Sequence, residues 1–432
     1  MNADQKQWIE TDAQSASANI RILQLDVLRG LAVLGIYWIN IIIFALPSGS
    51  YYLPVLSESI DLAQFINWSF TEIFVEGTMR GLFSILFGAS AMVFLDEARL
   101  SRQGLDVVDR YYRRSLLLLL FGLIHSYLLL WPYDVLYAYG LLGLFLFPLR
   151  TLSSRTLLTS GCLLLLSSHI SMISGFSDYL PAIDNSAHDD VAEITKPSDN
   201  TPYVSRDEIR KIIEDNLETA HYHASYAQIM NYQLPQVIEQ HSSAMYTQHL
   251  FDIGGMMLIG MALLKLGILS GKRSRRFYLL MAASGYLAGF IIRSIGIYLQ
   301  LEYDFDLFEN ETQAGIDYDI GRLPITLGHI GLIGVLCQSS RVGFLIRSLA
   351  ATGRLALTNY IMQTVISIFL FYGFGLALFN TLSYLQVILT CLAVWIFQVS
   401  FSLYWLRYFK LGPLEWLWRS LIYGKRQALR LA

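Results

Sequence analysis

Apolar residues in this chain gather into long runs that are separated by polar segments. The first run, Val27 to Leu46, is about 20 residues long, and as a helix it matches the roughly 30 Å hydrocarbon core of a bilayer. Backbone groups that face lipid must be satisfied within their own segment, so each such run is predicted to be helical. The pattern predicts ten spans: 27–46, 70–95, 114–131, 134–149, 156–175, 247–269, 277–299, 323–340, 355–378 and 384–405.

The charges between the runs predict how the chain crosses the membrane. Most of the 31 lysine and arginine residues fall in alternate loops. Basic loops stay on the cytosolic side, so we expect both termini to lie in the cytosol. The predicted segments are a cytosolic N-terminal segment (1–26), five helices (27–175), an extracytoplasmic loop or lid (176–246), five more helices (247–405) and a cytosolic amphipathic tail (406–432).

Composition supports this all-α integral membrane class. Hydrophobic residues make up 54% of the chain and charged residues only 15%, whereas soluble domains carry about 25% charged residues. A globular cytosolic enzyme is therefore excluded. The net charge of −3 gives no bulk attraction to nucleic acid. The three cysteines, Cys162, Cys337 and Cys391, lie inside apolar runs, so we expect neither a disulfide framework nor a metal site.

Ionisable and amide side chains inside the predicted spans are the first candidates for function, because burying them in lipid is costly. Structural alternatives stay open. Glu76 and Arg80 are four residues apart, as in an intrahelical ion pair, and Arg293 could pair with Asp134 or Asp252. The predicted substrate-binding residues are Arg29, Glu76, Arg80, Asp252, Arg293, His329, Asn359, Gln363 and Gln398.

Spacing places two further residues near the middle of the membrane. Asn40 and His125 each follow an arginine at the inner face by eleven residues, or about 16 Å of helix. His125 is the candidate proton-transfer group, although a hydrogen-bonded packing histidine is an open alternative. Asp134 could orient it only if the turn at Trp131–Pro132 folds the carboxylate back, because nine residues of continuous helix would separate the two by about 13 Å.

Several segments of the chain resemble the YeiB-like membrane protein family, whose C-terminal part is catalogued as domain of unknown function 418. The first is RILQLDVLRGLAVLGIYWIN, Arg21 to Asn40, and the two most specific are GRLALTNYIMQT and GPLEWLWRSLIYGK. The segments that carry the resemblance are 21–40, 82–88, 113–125, 134–140, 353–364 and 412–425.

The start of the chain also looks like that of the transmembrane acyltransferases, which include bacterial enzymes that modify surface sugars and the lysosomal heparan glucosaminide acetyltransferase. This resemblance implies a bacterial inner-membrane enzyme that passes an acyl group from cytosolic acyl-CoA to an envelope glycan or lipid. Arg29 matches the arginine of the sugar-modifying enzymes, but Asn40 stands where they have a catalytic histidine. His125 is then the inferred base, with Asn40 as donor to the acyl carbonyl.

The predicted acyl-CoA contacts are Arg29, Lys425 and Arg426, the last two in the cytosolic tail. Two other functions fit the same residues. Intramembrane Arg, Glu and His side chains also suit a transporter of a small solute or a lipid-linked substrate. A non-catalytic membrane partner that signals through the 176–246 loop is the third hypothesis.

Overall fold

The computed structural model describes residues 22–47, 50, 62–100, 104–167, 217–302, 307–339 and 342–431. Regular structure in these ranges is helical, apart from an isolated β-bridge between Phe409 and Arg430. Residues 1–21 of the predicted N-terminal segment and 176–216 of the predicted loop or lid lie outside the described residues. The all-helical prediction is confirmed for the part of the chain that is described.

The helices follow one another with short connections. The first five are α1 (Leu23–Ala45), α2 (Leu62–Phe74), α3 (Thr78–Leu100), α4 (Gly104–Tyr127) and α5 (Leu136–Leu149). Residues 154–167 are also helical. After these come α6 (Leu217–Tyr222), α7 (Tyr226–His241), a π-helical turn (Met245–His249), α8 (Leu250–Lys265), α9 (Arg275–Glu302), α10 (Leu307–Cys337), α11 (Gly343–Arg354), α12 (Ala356–Phe371), α13 (Tyr384–Trp405) and α14 (Pro413–Tyr423).

Five of these helical stretches are long and apolar enough to cross a bilayer, and up to seven if each of two bent helix pairs is one span. The chain is therefore an all-helical protein with the spans of a membrane protein, while the count of ten and the orientation stay predictions. The five are Leu23–Ala45, Gln64–Phe94, Arg275–Glu302, Ile320–Cys337 and Tyr384–Trp405.

Three predicted spans differ in detail from the helices. The span predicted at 114–131 is helical only as far as Tyr127, and Leu130 adopts a positive φ of 56° in the turn that follows. Helix α5 has 14 residues, or about 21 Å, which is shorter than the hydrocarbon core. The span predicted at 355–378 is helical only over Ala356–Phe371, which is α12. Helix α11 precedes it and meets it at 79° beside Leu355, and we call α11 and α12 the broken pair.

Close backbone contacts hold α11 against α1. A Cβ atom added at Gly353 would lie 1.9 Å from the Asp26 carbonyl oxygen, and one at Gly30 would lie 2.0 Å from that of Leu349. Small residues allow helices to approach in this way where lipid supplies no hydrophobic force between them. Elsewhere α9 packs on α10, α8 on α3, and α4 on α5.

The tail helix α14 packs against α4 and α12. It begins at Pro413, which suits the first turn of a helix. The Glu415 carboxylate accepts hydrogen bonds from the Thr358 backbone N–H (3.0 Å) and hydroxyl (2.5 Å). Burial raises the pKa of this carboxyl above its ordinary value, and the two donors oppose the rise. The tail helix is thus fixed to α12 through polar contacts.

Candidate functional site

His125, near the end of α4, is completely buried and uses both ring nitrogens. Its Nδ1 lies 2.6 Å from Asp134 Oδ1, and its Nε2 lies 2.8 Å from Thr364 Oγ1. A carboxylate only accepts, so in the neutral imidazole Nδ1 carries the proton and Nε2 accepts from the Thr364 hydroxyl. We call these three residues the relay.

The turn after α4 explains how Asp134 reaches His125. The Trp131 backbone N–H donates to the His125 carbonyl oxygen at 3.4 Å, and the Trp131 ring stacks on Phe44 at 4.2 Å. The chain therefore folds back instead of extending the helix. Asp134 Oδ2 accepts from the Tyr137 backbone N–H at 2.8 Å, in the first turn of α5. Both carboxylate oxygens are thus fixed, one by a helix N-terminus and one by the imidazole.

The other side of the relay comes from α12. Thr364 lies one turn after Tyr360, whose hydroxyl donates to Asp134 Oδ1 at 3.4 Å. The Tyr360 ring also meets the His125 ring edge-on, with centroids 5.0 Å apart. Helix α12 follows α11 after the 79° bend beside Leu355. This bend sets the angle at which α12 brings Tyr360 and Thr364 to α4.

Asn40 lies on α1 and is half-buried. The structure does not join it to the relay by a hydrogen bond, because both nitrogens of His125 bind other residues. Its role as donor to an acyl carbonyl stays a prediction.

A second polar cluster lies around Asp252 on α8. Arg80 Nη2 lies 3.0 Å from one carboxylate oxygen, and Arg322 Nη2 lies 2.6 Å from the other. Tyr139 lies near both Asp252 and Asp134, and its hydroxyl bonds Ser84 Oγ at 2.8 Å. The two clusters are therefore neighbours. Glu76, which was predicted with this group, lies in the turn between α2 and α3.

Arg293 and His329 hold α9 and α10 against α2. Arg293 Nη2 lies 2.9 Å from Glu72 Oε2. Arg293 therefore has a carboxylate partner that was not among the two alternatives, Asp134 and Asp252. Spacing gave no signal for this partner, because Glu72 lies 221 residues from Arg293, at the start of the predicted span 70–95. His329 bonds the Phe74 carbonyl oxygen through Nε2 at 2.9 Å and a tyrosine hydroxyl through Nδ1 at 2.9 Å.

The predicted amide residues join α12 to α13. Gln363 Nε2 donates to Gln398 Oε1 at 3.0 Å, and Gln398 Nε2 donates to the Asn359 carbonyl oxygen at 2.8 Å. Asn359 Nδ2 donates to Ser402 Oγ at 3.0 Å. Such bonds fix helix pairs in lipid. Any contact of these amides with a substrate stays a prediction.

The predicted acyl-CoA residues lie on α1 and after the end of α14, and their contact with a ligand stays a prediction. Arg29 pairs with Asp26 at 2.9 Å and donates to Ser90 Oγ at 3.1 Å. Lys425 and Arg426 are exposed after the end of α14, where Arg426 lies over the Trp416 ring at 5.8 Å. In the described ranges no group of three or more His, Cys, Asp and Glu residues could hold a metal ion.

Comparison with known proteins places the chain among its relatives. Residues 263–425 match the family model described as a protein of unknown function, DUF418. The uncharacterized protein YeiB of Escherichia coli (strain K12) is 31% identical over 412 residues, which cover 93% of this chain and 96% of YeiB. The chain belongs to the YeiB-like family.

Similarity also extends to Gram-positive bacteria. The uncharacterized protein YxaH of Bacillus subtilis (strain 168) is 30% identical to this YeiB-like chain, and the match covers 95% of the chain and 96% of YxaH. No solved structure matches the chain. The DUF418 match includes Tyr360 and Thr364 but begins at residue 263, after His125 and Asp134, so the relay combines residues from inside and outside that domain.

Sequence reasoning missed Thr364 and Tyr360 of this YeiB-like protein. Both lie in the GRLALTNYIMQT segment, and Thr364 is its last residue. The available signal was the presence of hydroxyl side chains on a helix that also carries Asn359 and Gln363. That signal gives no partner, because 239 residues separate Thr364 from His125.

Proposed function

We propose that this protein is an integral-membrane acyltransferase of the bacterial inner membrane. It passes an acyl group from cytosolic acyl-CoA to a hydroxyl or amine on an envelope glycan or lipid. The observation that carries the proposal is the order of the relay, in which a carboxylate, an imidazole and a hydroxyl are joined at 2.6 Å and 2.8 Å. In acyl transfer with a histidine as general base, this order holds the imidazole in the tautomer that accepts a proton at Nε2.

In the proposed reaction, the acceptor takes the place of the Thr364 hydroxyl beside Nε2 of His125. The acceptor oxygen or nitrogen attacks the thioester carbon, a new C–O or C–N bond forms, and the C–S bond breaks. The acceptor proton moves to Nε2, and from there to the departing thiolate. Asp134 is a positioning residue that keeps the Nδ1 proton in place and stabilises the imidazolium that forms.

Burial of the relay is compatible with this chemistry. His125 and the Asp134 side chain are completely buried, so no bulk water competes for the thioester. The acceptor and donor must then approach between helices. Helix α12 is the element that would move, because it is joined to α11 only through the bend at Leu355 and because it carries Thr364.

The test is a comparison of envelope glycans and lipids by mass spectrometry in cells with the gene, without it, and with His125→Gln. Glutamine keeps the approximate size and the hydrogen bonding but does not titrate near neutral pH. We expect an acylated species that disappears in the deletion strain and in His125→Gln. His241→Gln is the matched control, because His241 is half-buried and stacks on Tyr137 outside the relay.

The variant must be folded for the result to count, so expression and melting temperature are measured in parallel. Full acylation in a folded His125→Gln protein would contradict the base assignment. An envelope composition that does not depend on the gene would contradict the acyltransferase itself.

A transporter is the second candidate, and the broken helices favour it. Helix pairs bent by 63° and 79° resemble the discontinuous helices that form substrate sites in transporters. The cluster of Arg80, Arg322 and Asp252 could take a charged solute. Gene-dependent uptake of a solute into proteoliposomes, with envelope composition unchanged, would support this candidate over the enzyme.

A further inference from the structure

Arg114 lies in an unusual environment at the end of the bundle where α1 begins and the tail helix packs. Only 7% of the residue is exposed, and Nη1 is buried without a hydrogen-bond partner. Among the described residues, the groups that act on its charge are Tyr111 and Arg29, neither of which is a carboxylate. A buried guanidinium without an anion is costly.

Aromatic rings surround the Arg114 guanidinium. Its carbon lies 4.8 Å from the Phe87 ring centroid, 5.9 Å from that of Phe94 and 5.4 Å from that of Trp418. These rings stabilise a cation but provide no negative charge. Trp418 belongs to α14, and its Nε1 donates to the Arg114 carbonyl oxygen at 3.3 Å.

Arg29 reaches the same place from α1. It donates to Ser90 Oγ on α3 at 3.1 Å, and Phe87, Ser90 and Phe94 are spaced i, i+3 and i+7 along that helix. This spacing puts them on one helix face. Both guanidinium groups therefore converge on one face of α3, where Asp26 pairs with Arg29.

Two further carboxylates in the described ranges, Asp109 on α4 and Glu415 on α14, already have other partners. Asp109 pairs with the exposed Arg113 at 2.7 Å. Glu415, on the tail helix, accepts from the backbone N–H and hydroxyl of Thr358. Within the described residues, neither provides the counter-ion that Arg114 needs.

We propose that Arg114 and Arg29 bind a phosphate group between them, with Trp418 of the tail helix as its cover. A phosphate matches guanidinium geometry and supplies the missing charge. It could belong to a soluble phosphate ester such as coenzyme A, or to the headgroup of an anionic phospholipid. This site is separate from the chemistry at His125, and its existence does not depend on the acyltransferase proposal.

The experiment uses the full-length protein in phosphate-free dodecyl maltoside. One arm measures coenzyme A binding by calorimetry, and the other measures phosphatidylglycerol retention by native mass spectrometry. We expect wild type to bind one of the two, and Arg114→Gln to weaken that binding about tenfold or more, as expected for a lost charged hydrogen bond. Arg113→Gln is the matched control, since its side chain is 43% exposed.

Each outcome decides the proposal. Coenzyme A binding identifies a soluble ligand, and retention of phosphatidylglycerol alone identifies a lipid headgroup. Failure of wild type to bind either probe, or equal binding by Arg114→Gln and Arg113→Gln, overturns the site. If Arg114→Gln does not fold, Arg29→Gln replaces it, because Arg29 lies at the 26%-exposed rim and should weaken binding in the same direction.

Discussion

The relay and the Arg114 site are both buried polar regions, but they balance charge differently. In the relay, every polar atom of His125 and both oxygens of Asp134 have partners. At the Arg114 site, two guanidinium groups share one face of α3, where Asp26 pairs with Arg29. A complete network holds a proton in a fixed place, whereas an incomplete one attracts an anion from outside.

The largest expected effect comes from breaking the relay at its carboxylate. In Asp134→Asn, the amide N–H can donate to Nδ1 of His125, which moves the imidazole proton to Nε2 and removes the base. We expect acylation to fall by about 10⁴-fold, measured as the ratio of acylated to unacylated envelope species.

Asp109→Asn is the control for Asp134→Asn, because the Asp109 side chain is 63% exposed. Wild-type acylation by folded Asp134→Asn would show that the carboxylate does not position the imidazole.

A smaller effect is expected from pushing the relay apart without changing its residues. A Cβ atom at Gly122 would lie 2.2 Å from the Tyr137 backbone nitrogen and 2.7 Å from Asp134 Oδ2. Gly122→Ala should therefore separate α4 from α5 and cost about 1–3 kcal/mol of stability, seen as a lower melting temperature.

Gly343→Ala serves as the control, since a Cβ atom there would have no neighbour within 4 Å. An unchanged melting temperature in Gly122→Ala would mean that the two helices do not approach as closely as described.

The smallest effect is expected when the protein itself supplies a carboxylate to the Arg114 site. Ser90→Asp places a carboxylate on the α3 face that Arg29 already contacts. It should supply the missing charge, keep or raise the melting temperature, and weaken phosphate binding about tenfold. Ser274→Asp, in the exposed turn before α9, controls for the added charge. Unchanged phosphate binding in Ser90→Asp would place the ligand elsewhere.

Sequence periodicity was sufficient for the helical class but not for the helix ends. The apolar run that begins at Leu355 located the start of α12, but it did not show that the more polar α11 precedes it at an angle of 79°. The contact between His125 and Asp134 depended on a turn whose positive φ at Leu130 no local pattern predicts.

Long-range partners were beyond the reach of spacing arguments. Thr364 and Glu72 meet their partners across separations of 239 and 221 residues. Arg114 was treated only as a marker of the inner face, because a basic residue at the end of a run is ordinary. The absence of a carboxylate beside Arg114 among the described residues can be recognised only from the positions of α3 and α14 around it.

The contacts of α11 and α12 with α1 also bear on the order in which the helices assemble during synthesis. The Gln363 side chain donates to the Val33 carbonyl oxygen, and the two residues are 330 positions apart. At about 5–20 residues per second, on the order of half a minute passes between the synthesis of α1 and that of its partners. Assembly of α1 with α11 and α12 is therefore among the last steps of biogenesis. A chain truncated before Gly343 would reach the membrane with the Gly30 face of α1 uncovered.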